Sequence, residues 1–346
     1  MKTKPIIFSR RVFIISAASV VGKKEKKGPL GHLFDLSGDD RFGKDTWEKS
    51  EAEMQRLSLG IALNKFGVKA SDIDIIFAGD LINQCISSSY GLLDYNVPFL
   101  GLFGACSTCA EGLLLGACLT STYCDRCASV TSSHYCSAER QFRYPLEYGG
   151  QRTPTSQWTV TGSGAFVLSS LSTDLYNTTE SYIPEIVAGM PGRIVDRGIK
   201  DPNNMGAAMA PAAVDTLERF FGAGYDPSDF DMIVTGDLGT EGSGILHDLL
   251  LSKNIDITKN HVDCGNMIFS SYESDTHAGG SGCGCSAVVL AADLLENIKK
   301  GVLKNILFIG TGALMNPLSL NQGQNIPGIA HLVHITATDK KRLIGN

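Results

Sequence analysis

Helix-spaced apolar positions alternate with short apolar runs along the whole chain, and the alternation repeats. Within residues 51–66, Met54, Leu57, Leu59, Ile61 and Leu63 can share one broad helical face. They lead to Ser71-Asp72-Ile73-Asp74-Ile75-Ile76-Phe77-Ala78-Gly79-Asp80-Leu81, a short buried strand ending at glycine and aspartate. A second amphipathic stretch, residues 207–221, precedes Ser228-Asp229-Phe230-Asp231-Met232-Ile233-Val234-Thr235-Gly236-Asp237-Leu238, which repeats the first stretch position for position. Each copy is followed by a turn of small residues that opens an apolar helix. In the first half this turn is Gly104-Ala105-Cys106-Ser107; in the second it is Gly279-Gly280-Ser281-Gly282-Cys283-Gly284-Cys285. A strand follows each helix, over residues 128–133 and 305–310, and residues 162–168, 183–187 and 326–335 read as further strands. Residues 340–346 read as a frayed tail. The pattern is an internal duplication, and its order predicts an α/β protein of two halves, residues 1–180 and 181–346.

The first apolar run has a second reading. Ser9-Arg10-Arg11-Val12-Phe13-Ile14-Ile15 matches a twin-arginine export signal, but the run is short, lacks a small-x-small cleavage site and stops at Gly22-Lys23-Lys24. Residues 12–21 are therefore expected to form a buried strand. No apolar run is long enough to span a bilayer. An apolar content of 43% with 38 glycines excludes a disordered chain, and a formal charge of −6 without a basic cluster argues against a nucleic-acid partner. Ten cysteines spread through helix-like and strand-like runs point to thiols in a reducing compartment.

Cys106 stands at the mouth of an apolar helix, where orphan N–H groups and the helix dipole favour an anion and lower a thiol's pKa. The bland alternative is a small buried hydrophobe. Cys106-x-x-Cys109 and Cys124-x-x-Cys127 have nearly the spacing of a four-cysteine zinc site. The helix between them would hold the two pairs about 20 Å apart, so no metal site is expected. Gly280-x-Gly282-x-Gly284 lacks the lysine of a phosphate loop and is expected to allow close approach to the cysteine turn. Asp80 and Asp237 end equivalent strands, near the edge where α/β folds hold ligands, or each could cap a helix. His134 and Arg140 follow a strand and could bind a carboxylate-rich ligand, or form an interface cluster.

Together these residues resemble the thiolase and ketoacyl-synthase superfamily and, more narrowly, the stage V sporulation protein AD family of endospore-forming bacteria. The matching stretches include Gly28-Pro29-Leu30-Gly31-His32-Leu33-Phe34-Asp35, Ala78-Gly79-Asp80-Leu81, residues 102–108, 131–151 and 159–165, Ala207-Ala208-Met209-Ala210-Pro211-Ala212-Ala213, and residues 278–289. The resemblance implies a thiolase-like αβαβα layered fold with Cys106 at the nucleophile position. It also implies a role in moving pyridine-2,6-dicarboxylate (dipicolinate), with calcium, into the developing spore.

Several residues depart from the condensing enzymes. Thr235-Gly236-Asp237-Leu238 occupies the place of an acid–base histidine or asparagine, and Ile309-Gly310-Thr311-Gly312 lacks the second thiolase cysteine. His277-Ala278-x-Gly280 lacks the thiolase proline, and Ser281 stands where ketoacyl synthases place asparagine. The resemblance with these departures implies a non-catalytic protein binding dipicolinate or its calcium chelate through Asp80, Cys106, Ser107, Thr108, His134, Arg140, Asp237, Ser281 and Gly282. It implies no cofactor beyond calcium carried with the ligand, a homodimer, and other stage V sporulation membrane proteins as partners at the spore inner membrane. The rivals are an acyltransferase or thiolase with Cys106 as nucleophile and His277 as base, and a scaffold with an incidental cavity.

Overall fold

A computed structural model describes residues 4–142, 152–269 and 275–344. In the first half the main strands are β1 (Ile6–Val21), β2 (Ile75–Gly79), β3 (Phe99–Gly101), β4 (Arg126–Ser133) and β5 (Gly162–Ser169). The second half supplies β6 (Tyr182–Met190), β7 (Met232–Thr235), β8 (His261–Asp263), β9 (Asn305–Ala313) and β10 (Gly328–Asp339). They hydrogen-bond in the order β8-β7-β9-β10-β6-β1-β5-β4-β2-β3, with the two-residue strand Leu36–Ser37 alongside β1. Each half therefore has the same internal order. The directions also match: β3-β2-β4 and β8-β7-β9 are parallel, and the next two pairings in each half are antiparallel. The repeated sentence in the sequence becomes a repeated sheet.

The helices α1 (Trp47–Phe66), α2 (Thr108–Thr120), α3 (Met205–Phe221), α4 (Gly239–Leu251) and α5 (Cys283–Val289) divide into outer and inner layers. Outer helix α1 starts where Thr46 accepts a hydrogen bond from the Lys49 N–H and stops at Gly67, whose φ of 75° suits glycine. It lies on β1, β4 and β5, while α3 covers β9 and β10 and is flanked by α4. Inner helix α2 is apolar on nearly every side because it is covered on both. Strands β2 and β4 flank it in its own half, and β9 and β10 in the other. Leu113 and Leu114 are buried there, each contributing about 2 kcal/mol. Helix α5 lies beside it on β4 and β5 and continues through a π turn, Leu290–Leu294, to Lys299. The layering is the expected αβαβα.

Four details differ from the sequence reading. The first strand begins at Ile6, so the two arginines lie within it: Arg10 reaches the Ser121 carbonyl and Arg11 forms a two-pronged pair with Glu185. Strands β9 and β10 run past their expected ends, and the expected frayed tail begins as a helical turn, Lys340–Ile344. The Gly282 backbone does approach the cysteine turn, with its N–H in reach of the Cys106 thiol. The space left by the missing Cβ atoms of Gly280, Gly282 and Gly284, however, is filled by other elements. A Cβ on Gly282 would stand 2.5 Å from Ser133 Oγ, and one on Gly284 2.4 Å from the Gly162 carbonyl, so they admit the ends of β4 and β5. The glycines that admit the cysteine turn are Gly310 and Gly312 of β9, where a Cβ would meet Ser107 and Gly104 backbone at 2.8 and 2.5 Å. No helix among the described residues is long and apolar enough to cross a membrane.

Candidate functional site

The turn that carries Cys106 is tied by its own hydroxyls. Ala105 adopts a φ of 50°, a left-handed conformation unusual for a residue with a Cβ. Ser107 Oγ donates to the Gly104 carbonyl and Thr108 Oγ1 to the Ala105 carbonyl, both at 2.6 Å, and Thr108 Oγ1 accepts from the Gly104 N–H at 3.0 Å. The side chains of Ser107 and Thr108 thus hold the turn in shape instead of presenting donors to a ligand. Above the turn, Cys106 is 5% exposed. Its thiol is hydrogen-bonded to the Asp237 carboxyl and lies within reach of the Gly282 N–H and the Ser281 hydroxyl.

The second half fixes these partners. Asp237 Oδ2 accepts from the Gly282 N–H at 2.8 Å and Oδ1 from Thr311 Oγ1 at 2.9 Å. Gln157 Nε2 bridges the Asp237 and Gly280 carbonyls at 2.7 and 2.8 Å, joining the two loops that flank the thiol. Gln157 carries no signal in the sequence, and Thr311 stands out there only as part of the loop without the second thiolase cysteine, because what matters is which loops they connect.

Electrostatics reverse one expectation. Instead of being lowered by the helix mouth, the pKa of Cys106 is raised well above the ordinary thiol range. Burial is the largest cause, the Asp237 charge the next, and the Gly282 and Ser281 hydrogen bonds oppose them weakly. Asp237 itself is pushed up to about 7, chiefly by burial. Two acids therefore share one dry spot. A thiolate, the form that attacks, is suppressed there.

The other expected residues lie elsewhere. Asp80 accepts from the Ile82 N–H, the Ser88 N–H and Ser88 Oγ, at 2.9, 2.9 and 2.6 Å, which is the capping arrangement and leaves it surrounded by donors. His134 sits under Trp47 with Nε2 on the Asp40 carbonyl at 2.7 Å and Nδ1 accepting from the Cys136 N–H. Both ring nitrogens are occupied. The side chain of Arg140 lies outside the described residues. His277 pairs with Asp275 at 2.7 Å. A group missed in the sequence is Glu51 of α1, which is buried among Ser132 and Ser137 and raised to about 8 by burial and then by the charge of Asp80. Behind Cys106, Cys283 opens α5 close to Asp80 and Glu51, so each half's leading cysteine lies near the other half's aspartate.

A cavity of about 30 Å³ opens over the thiol between Phe103, Leu81, Met205, Met315 and Ser281, room for about one water. Its walls are apolar except at the floor.

The model of the family described as stage V sporulation protein AD matches residues 2–336. The chain belongs to that family. A stage V sporulation protein AD of Bacillus subtilis is 40% identical over 328 residues, 94% of each chain. Among solved structures, cerulenin-bound OleA of Xanthomonas campestris is similar with a TM-score of 0.61 at 14% identity, covering 95% of this chain and 98% of that one. Human mitochondrial 3-ketoacyl-CoA thiolase in complex with CoA gives 0.58 at 13%, covering 96% and 99%. The 3-oxoacyl-[acyl-carrier-protein] synthase III of Aquifex aeolicus gives 0.53 at 13%, covering 93% and 99%. These likenesses establish a thiolase-like fold and nothing finer. In this chain the chemical neighbour of the cysteine turn is an acid, Asp237.

Proposed function

We propose that this member of the sporulation family binds dipicolinate, or its calcium chelate, over Cys106 and serves its movement into the developing spore without catalysing a reaction. The observation that carries the non-catalytic part is the Cys106–Asp237 contact. A nucleophilic cysteine needs a base or a positive neighbour, and here burial and a carboxylate both oppose ionisation. The ligand part rests on the family resemblance and on the Ser281 hydroxyl at the cavity floor, since the Gly282 N–H is already held by Asp237. The cavity is smaller than a pyridine dicarboxylate. Entry therefore requires Met205, Met315 and the half-exposed Phe103 to swing aside, a movement that flexible methionines permit. In this reading the chain works peripherally at the spore inner membrane with other stage V sporulation membrane proteins.

Calorimetric titration with dipicolinate, with and without calcium, tests the ligand. Saturable binding that weakens at least tenfold in Cys106→Ala is the expected result. Absence of heat in every combination would end the proposal, and acylation of Cys106 by an acyl thioester would favour the enzyme instead.

The same reading includes a homodimer. Strand β3 is the outer strand of its half, and Leu100 on it is 47% exposed, with Tyr90, Leu93 and Phe103 exposed nearby. An apolar edge of this kind invites edge-to-edge pairing, here with a second copy. Light scattering is expected to give a dimer mass for the wild type and a monomer mass for Leu100→Asp. A monomeric wild type at all concentrations would refute it.

A further inference from the structure

A row of polar groups leads from the outside of the second half toward its buried acids. His247 of α4 places Nε2 2.9 Å from Nδ1 of His261 on β8. His261 Nε2 lies 2.9 Å from Thr235 Oγ1 at the end of β7, and Thr235 Oγ1 donates to Asp263 Oδ2 at 2.6 Å. Asp263 is buried and also accepts from the Leu238, Gly239 and Asn266 N–H groups.

The hydrogens in this row can be placed by elimination. Thr235 has one hydroxyl hydrogen and gives it to Asp263, so its oxygen accepts from His261 Nε2–H. His261 Nδ1 is then a lone pair, and it accepts from His247 Nε2–H. His247 Nδ1 has no partner among the described residues and is not enclosed, so it faces water. Every hydrogen in the row points inward, toward one carboxylate.

We infer that His247, His261 and Thr235 form a proton path between solvent and Asp263. In one passage, water delivers a proton to His247 Nδ1, and the Nε2 proton of His247 moves to His261 Nδ1. The Nε2 proton of His261 then moves to Thr235 Oγ1, whose own hydrogen passes to Asp263 Oδ2. One proton enters and one arrives; both rings end neutral in the opposite tautomer. The reverse passage empties the site.

Surrounding groups suit this traffic. His261 is pushed down to about 3 by burial and then by His247, so it passes a proton without keeping a charge. Asp263 is pushed up to about 6 by burial. The titratable groups facing it are Asp237, whose proton affinity its charge raises, and the thiols of Cys264 and Cys285. At the outer end Asp256, itself next to Lys259, stands near His247. A proton reaching Asp263 therefore removes a negative charge beside the acid that holds Cys106. The path exists with or without a ligand in the cavity.

The test is a pH jump followed by the infrared carboxylic-acid band of Asp263, assigned with Asp263→Asn on the full chain. His247→Phe and Thr235→Val are expected to reach the wild-type final amplitude at least tenfold more slowly. Wild-type rates in His247→Phe would overturn the path, as would the absence of any Asp263 band titrating between pH 5 and 8. If Thr235→Val does not fold, His247→Phe decides alone, since its ring is half-buried on an outer helix. Nitrogen NMR of the two rings adds a check, because both must carry the hydrogen on Nε2 when Asp263 is ionised.

Discussion

Gly312→Ala is expected to destabilise the protein by about 3 kcal/mol, the upper end of what overpacking a close contact costs. The added Cβ would stand 2.5 Å from the Gly104 carbonyl oxygen, 3.0 Å from the Ser107 nitrogen and 3.2 Å from the Cys106 nitrogen. All three are backbone atoms of one turn, so no side chain can swing away to relieve the contact. At Gly312 strand β9 is tied to Ile329 of β10, which resists its retreat. The turn must move, carrying Cys106 away from Asp237. Gly244→Ala is the matched control, because a Cβ there meets nothing within 4 Å on an exposed face of α4. That change should stabilise by about 1 kcal/mol through helix propensity. Urea denaturation of both variants measures the contrast. Equal midpoints would mean that β9 and the cysteine turn are not in close contact.

Asp237→Asn is expected to make Cys106 at least tenfold more reactive toward iodoacetamide at a fixed pH near 8.5. The sign follows from charge. The carboxylate beside the thiol disfavours a second negative charge, so replacing it with a neutral amide of the same shape lowers the thiol's pKa and increases the thiolate fraction. A tenfold change corresponds to about 1.4 kcal/mol, a modest fraction of what a close charge exerts in a dry site. Burial still holds the thiol high, so the variant should remain slower than an exposed cysteine. Mass spectrometry of the labelled Cys106 peptide across a pH series reads the result. An unchanged profile would place the whole suppression in burial and would remove the argument that Asp237 keeps the site unreactive.

Much of the architecture was legible from periodicity alone. The two matched stretches ending at Asp80 and Asp237 announced a duplication, and the sheet repeats its strand order accordingly. The turn at Cys106 was also plain, since small residues before an apolar helix leave few alternatives. What the sequence concealed was the use of each polar group. Asp80 and Asp237 are equivalent by repeat, yet one caps a turn and the other holds a thiol, because the chain that follows each differs. His134 looked available, but its ring is engaged by the backbone of Asp40 and Cys136, neighbours that spacing does not reveal. The same holds for Gly310 and Gly312. Their purpose is set by a loop of the other half, and nothing local marks them out from the glycines of residues 280–284.

Strand β1 also sets a delay during synthesis. It is the longest strand among the described residues, it lies at the centre of the sheet, and its main partner within the same half is β5, the last strand of that half. At about 5–20 residues per second, β1 leaves the ribosome on the order of ten seconds before β5 exists to pair with it. Through that interval an apolar ribbon with two open edges must stay apart from other nascent chains. Arg10 and Arg11, which look like an export signal, lie within that ribbon, where charge discourages stray pairing. Once β5 and β6 arrive, the same arginines settle onto Ser121 and Glu185.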